Sequence, residues 1–152
     1  MNELDILWEQ MKPQTWESTY HLFLSQVLAL LGKKSWALSV TFCNDPFIRE
    51  LNREFRGKDE STDVLSFVQD ESDRPDLVGF PDLILGDLVI SLDTLAVNAA
   101  YFGVSANEEL KRISIHGLLH LQGWDHETNS SEEPMLIRQE EILSDFSGVK
   151  VL

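Results

Sequence analysis

The chain has 152 residues, 43% of them hydrophobic and 25% charged, with a formal net charge of −14 and a single cysteine, Cys43. That length suits one domain over 1–152 with a core of its own, and the acidic excess repels polyanions, which excludes a nucleic-acid coat or a binder of anionic membranes and confines any nucleic-acid contact to a local basic patch. One cysteine excludes an internal disulfide framework and reads as a small buried apolar residue in a reducing compartment.

The opening "MNELDILWEQMK" has early acids and no basic segment before an apolar run, unlike a signal peptide. Apolar runs such as "VLALL" at 27–31 are too short to cross a bilayer. The expectation is a cytoplasmic protein without membrane partners.

"ELDILW" predicts a first strand, and "TWESTYHLFLSQVLALLG" spaces its apolar residues as a helix closed by Gly32. In "SWALSVTFC" the alternation of Trp36, Leu38, Val40 and Phe42 predicts a half-buried strand. "NDPFIRELNREFRG" carries helix punctuation: Asp45 as N-cap, Pro46 as first residue, Gly57 as stop, with Phe47, Leu51 and Phe55 as the buried stripe. "TDVLSFV" and "LILGDLVIS" read as strands separated by a long acidic loop from about Gln69 to Asp82. "LDTLAVNAAYFG" is a helix closed by Gly103. Ser105 and Glu108 form a capping box that opens "ANEELKRISIHGLLHLQ", which stops at Gly123. A last helix runs from near Ser131 to about Ser144. The order β-α-β-α-β-β-α-α-α implies an α+β domain, a mixed sheet of about four strands covered by about five helices.

"HGLLHLQGWDH" holds three of the four histidines. On a helix, His116 and His120 lie one turn apart on one face and can aim at one point. Gly123 can take the left-handed conformation that turns the chain back and brings in His126. The spacing equals that of a zinc-protease class in which three neutral imidazoles hold a tetrahedral zinc and leave a position for water. The expectation is therefore a zincin-like histidine helix with one Zn²⁺ per chain bound by His116, His120 and His126. Those proteases use a Glu directly after the first histidine as general base, and here that position is Gly117. A closed structural site would want a fourth ligand, and Cys43 lies far off in an apolar strand, so an open, catalytic site is expected. Asp125 either orients an imidazole or serves as a turn residue after Gly123. His21 stands apart on the first helix and is read as structural.

Arg49, Arg53, Arg56 and Lys58 are four of twelve basic residues, set within ten positions. Arg49 and Arg53 read as a solvated face with Glu50 and Glu54 as partners. Arg56 sits at the helix end before Gly57, where its side chain can leave the helix face and fork onto a phosphate.

"FRGKDESTDVLSF", "GDLVIS" and "HGLLHLQGWDH", with the downstream "M….EEIL" pattern, resemble the YbeY family of bacterial metal-dependent, single-strand-specific endoribonucleases involved in ribosomal RNA maturation and ribosome quality control. The resemblance spans about Asn52 to Leu143. It implies an α+β metalloprotein with His116, His120 and His126 as zinc ligands and Arg56 as a functional arginine in the cleft. Val68 stands where the family commonly has proline, and the acidic loop after it is long. Thr62, Asp63, Ser66 and Asp87 are read as strand-end hydrogen-bonding residues. The expected function is a zinc-dependent endoribonuclease in which the metal polarises a phosphate oxygen and lowers the pKa of bound water, and Arg56 stabilises the phosphorane charge. Catalysis is assigned to Arg56 and His116, and the expected partners are single-stranded ribosomal RNA and a ribosomal subunit or ribosome-associated protein. The rivals are a metalloprotease-like hydrolase with another base than Gly117, and a non-catalytic ribosome assembly factor whose zinc only ties the last helices to the domain.

Overall fold

A computed structural model describes residues 2–32, 35–77, 79 and 82–152. The element order is the expected one: β1 (Asn2–Trp8), α1 (Glu17–Leu31), β2 (Ser35–Cys43), α2 (Asp45–Arg56), β3 (Val64–Val68), β4 (Leu83–Ser91), α3 (Leu92–Phe102), α4 (Ala106–Leu121) and α5 (Pro134–Asp145). One mixed sheet orders its strands β1-β2-β4-β3. β1 and β4 run parallel to β2, whereas β3 lies antiparallel to β4 as an edge strand. Among the described residues no helix is long and apolar enough to cross a membrane.

The pleat of β2 explains the packing on both faces. Trp36, Leu38, Val40 and Phe42 point one way into the main core, where they meet Phe23, Leu24 and Val27 of α1 and Leu110, Ile115 and Leu118 of α4. The other face is covered as well, so β2 is more than half-buried: Cys43 packs with Ile48 of α2, and Ala37 with Leu77 of the acidic loop. That loop contains two single 3₁₀ turns, Glu71–Asp73 and Pro75–Leu77, and its residues 78, 80 and 81 lie outside the described residues. Arg74 fastens it back to β1 through Glu3 (3.2 Å) and braces it on Asp76 (2.9 Å). The loop is thus a cover for the sheet, with Leu77 as its apolar plug.

Two local readings are corrected in α2. Its N-cap is Asn44, whose side chain accepts from Phe47 N, and Asp45 is the first helical residue. Asp45 instead accepts from Ser91 Oγ (2.7 Å) and Thr94 Oγ1 (2.6 Å), tying α2 to the start of α3. The buried face of α2 is Ile48 and Asn52; Phe47 and Leu51 are half-buried and Phe55 is exposed. Asn52 is retained inside because its Nδ2 donates to Glu60 O (2.9 Å), closing the turn after the helix. The capping box of α4 forms by half: Glu108 N donates to Ser105 Oγ (3.0 Å), but the Glu108 carboxylate turns to Arg112 (3.3 Å).

Gly117 shows why a longer side chain is absent from the first turn of the histidine motif. A Cβ there would meet Leu88 Cδ2 at 2.7 Å, and Leu88 is fully buried in β4. The helix therefore approaches the sheet as closely as a missing side chain permits. Gly117→Ala is expected to destabilise the fold by about 1–3 kcal/mol through overpacking, measured as a shift of the urea midpoint at constant slope. An unchanged midpoint would mean that Leu88 re-packs without strain.

Candidate metal centre

α4 carries His116 and His120 one turn apart, and Gly123, at φ +98°, reverses the chain just past the helix. Gly123 N donates to His120 O (2.9 Å) and Trp124 N to Leu119 O (3.0 Å), so the turn is fully hydrogen-bonded. This geometry returns His126 to the first two imidazoles. Ring centroids lie 4.6, 5.3 and 5.6 Å apart, and one ligand atom from each ring falls within 4.8 Å of the others.

Each ring is held from behind by an oxygen. His116 Nδ1 donates to Gln139 Oε1 (2.6 Å), His120 Nδ1 to Trp124 O (3.1 Å) and His126 Nδ1 to Thr128 O (2.7 Å). Carbonyl oxygens only accept, so the proton belongs on each Nδ1 and every Nε2 presents a lone pair. His116 Nε2 and His120 Nε2 face each other at 3.0 Å. Two neutral imidazoles aligned lone pair to lone pair repel unless a cation accepts both. Zinc–nitrogen bonds of about 2.0–2.1 Å at tetrahedral angles would set such nitrogens roughly 3.3 Å apart, so the donor set fits a metal of that size. The C-terminal end of α4, with its negative dipole, adds a field that favours a cation there.

Burial lowers the pKa of His116 below the ordinary 6.5 despite the opposing Gln139 hydrogen bond. Burial also lowers that of His120, with the Trp124 carbonyl acting the other way. Both rings are therefore held neutral, the form a metal binds. Gln139 was not legible from local spacing: it lies 23 residues from His116. Its signal was a lone polar residue on the buried face of α5, among Met135, Ile142 and Leu143. Asp125 takes the turn role, its Oδ1 accepting from His126 N (2.8 Å). His21 is exposed on α1 and reaches Leu4 O (3.3 Å), away from this cluster.

The rings open onto a cleft of ≈ 1620 Å³ that α4, β3 and the end of α2 share. The arginines of α2 separate there. Arg49 pairs with Asp59 (2.8 Å) and Arg53 with Glu50, so the partner read for Arg53 holds and that for Arg49 is replaced. Arg56 reaches into the cleft, donating from Nη2 to Ser66 O (2.6 Å) with its guanidinium carbon 5.1 Å from the centre of the Phe67 ring. Among the described residues no ion pair engages it, which leaves its remaining N–H groups for an anion. Lys58 lines the same cleft. Asp63 accepts from Val64 N (2.8 Å) and Asn98 Nδ2 (3.4 Å), a strand-end role as expected. Asp87 departs from that reading, since it sits in the middle of β4 and accepts there from Ser39 Oγ (2.5 Å) on β2 and from Gln69 Nε2. Cys43 is buried, 3.5 Å from Ile90 O, and lies outside the metal-ligating group.

The model of the family described as endoribonuclease YbeY matches residues 5–147. The chain is 47% identical over 129 residues to the endoribonuclease YbeY of Treponema denticola, covering 85% of this chain and 83% of that protein. It is 45% identical over 152 residues to the protein of the same name from Borreliella burgdorferi, covering 97% of each. A solution structure from Thermotoga maritima matches with a TM-score of 0.62 at 26% identity, covering 97% of this chain and 90% of that one.

Proposed function

The chain belongs to the endoribonuclease YbeY family, and we propose that it is a zinc-dependent endoribonuclease of the cytoplasm that cuts single-stranded ribosomal RNA during maturation and ribosome quality control. The observation that carries this reading is the convergence of three Nδ1-anchored imidazoles in one cleft with an arginine that has no carboxylate partner among the described residues. His116, His120 and His126 hold the metal. When bound, the metal supplies Lewis-acid polarisation of a phosphate oxygen and acidifies water. Arg56, fixed at one end by Ser66 O and by the Phe67 ring, directs its free N–H groups at the charge that grows on the phosphorus oxygens. Gln139, Trp124 and Thr128 keep the rings in one tautomer and orientation.

The direct test is cleavage by the zinc-loaded chain of a single-stranded RNA, its fully paired duplex and casein. Only the single strand is expected to be cut. Casein cleavage would restore the protease reading, and no cleavage of any substrate by a fully loaded chain would favour a zinc that only ties helices together.

The charge balance limits how tightly such an enzyme holds free RNA. With Arg49 and Arg53 occupied by carboxylates, the cleft offers Arg56 and Lys58. Two to four phosphate contacts on a single strand give a slope of log affinity against log salt of about −1.5 to −3. Binding to ribosomal subunits is expected to be much tighter than to protein-free RNA of the same sequence, because a protein partner must deliver the strand to a chain of charge −14. Equilibrium binding across a salt series measures both. A slope steeper than about −6 on naked RNA would contradict the idea.

A further inference from the structure

The large aromatic side chains Trp36, Tyr20, Phe23 and Phe42 are fully buried, whereas Phe102 is 63% exposed. It ends α3 and stacks edge-on against Tyr101 (5.1 Å), which is itself exposed. Folding gives this ring little to pack on, yet it lines the same cleft as the three histidines. Its place along that cleft follows from its neighbours. Asn98, one turn earlier on the same face of α3, donates to Asp63 just ahead of β3 (3.4 Å). Arg56 bonds farther along β3, at Ser66. On the other side α4 starts four residues after Phe102, and His116 follows ten residues after Ala106, roughly 15 Å at 1.5 Å per residue. The cleft thus runs from Phe102 at one end to Arg56 and the imidazoles at the other, a span of a few nucleotides.

Charge along α4 says which part of a strand that far end accepts. Arg112 is flanked by Glu108 (3.3 Å), Glu109 (3.7 Å) and Glu140 (3.2 Å), three carboxylates against one guanidinium. Glu109 is 4% exposed and lines the cleft, and among the described residues its Oε2 has no hydrogen-bond partner. Burial raises the pKa of Glu109, with Arg112 opposing, so the negative charge of this stretch rests on Glu108 and Glu140 against Arg112. A phosphate is repelled from this acidic stretch, while an uncharged base is not. Single-strand binding sites combine a cationic stretch for the backbone with aromatic faces for bases, and here the two parts sit at opposite ends of one cleft.

We propose that Phe102 is the stacking platform for a nucleobase a few nucleotides from the scissile phosphate, so that the strand is held at one end by Arg56 through its backbone and at the other by Phe102 through a base. This rests on the single-stranded RNA reading above. Loss of the ring removes a base–aromatic stack and is expected to lower affinity roughly 5- to 150-fold.

The test uses the zinc-loaded full chain, a single-stranded RNA and a set of the same RNA with one base at a time removed. Phe102→Ala is expected to raise KM by that factor with kcat little changed and the melting temperature kept, and Phe102→Trp to restore KM. One abasic position should cost wild type a similar factor and cost Phe102→Ala nothing. The salt slope of KM should stay as in wild type, because no phosphate contact is lost. An unchanged KM in Phe102→Ala, or no abasic position coupled to it, overturns the proposal. A variant that is normal on free RNA but loses binding to ribosomal subunits overturns it too and assigns the ring to a protein contact. If wild type cuts no single-stranded RNA at all, the nuclease reading fails and the proposal falls with it.

Discussion

His120→Ala is expected to lose the metal and all RNA cleavage while keeping its secondary structure. Three nitrogens converge at the site, and removing the middle one leaves His116 and His126 with ring centroids 5.3 Å apart and, among the described residues, no third histidine, cysteine or carboxylate ligand. His120 is half-buried beside a turn that is held by backbone hydrogen bonds from Gly123 and Trp124, so the fold does not depend on its ring. Elemental analysis after refolding with zinc and gel filtration reads the loss, with about one metal per wild-type chain as the reference. Gln139→Ala, which removes only the oxygen behind His116, should weaken metal binding by about 10- to 100-fold. A His120→Ala protein that retains stoichiometric zinc would remove the basis of the site.

The same measurement taken against pH has a definite sign. His116 and His120 have pKa values lowered by burial, so between those values and 6.5 the unfolded chain binds more protons than the folded one. Stability of the metal-free protein therefore falls as pH falls through that window. The metal, which requires neutral rings, strengthens this dependence, and its release is expected below about pH 6.5. Retention of zinc far into acid would require ligands other than imidazole.

Which features of this molecule were legible in its sequence depends on how local their causes are. Helix ends closed by glycine, the alternation in β2 and the i, i+4 pair on α4 are written in adjacent residues, and each appears where the spacing puts it. The buried stripe of α2 was misread at its end: Phe47 and Leu51 pack part-buried against the sheet, but Phe55 does not. Phe55 is exposed and turns to Phe67 (5.6 Å), and Asn52 takes the inner position because the carbonyl of Glu60, in the turn after the helix, satisfies it. The oxygens behind the histidines come from a turn and from a separate helix, and only tertiary packing brings Gln139 to His116. The cover over the outer face of the sheet is a similar case. Leu77 lies in a stretch of acids and prolines with no periodicity, and its role emerges from Arg74 tying the loop to β1.

Arg56→Glu is expected to remove RNA cleavage with metal content and melting temperature nearly unchanged. Among the described residues Arg56 makes one backbone hydrogen bond, to Ser66 O, and lies over Phe67, both on the edge strand β3. Surface substitutions of this kind usually change stability by no more than about 0.5 kcal/mol. In the reaction its free N–H groups would face the charge that develops on the phosphate, where loss of one preorganised donor costs about 100- to 1,000-fold in rate. A glutamate adds repulsion to that loss, so Arg56→Glu should fall below Arg56→Ala, and Arg56→Lys should recover only part because an ammonium lacks the planar fork. Arg49→Glu and Arg53→Glu serve as controls: both arginines are exposed and already paired with carboxylates, so neither change should alter the rate constant at saturating RNA by more than a few-fold. Single-turnover cleavage alongside zinc content and thermal melting separates the alternatives. If Arg56→Glu loses melting temperature in proportion to activity, the arginine serves the join between α2 and β3. If all three arginine variants weaken cleavage alike, the effect belongs to the general field of the helix and not to a group aimed at phosphorus.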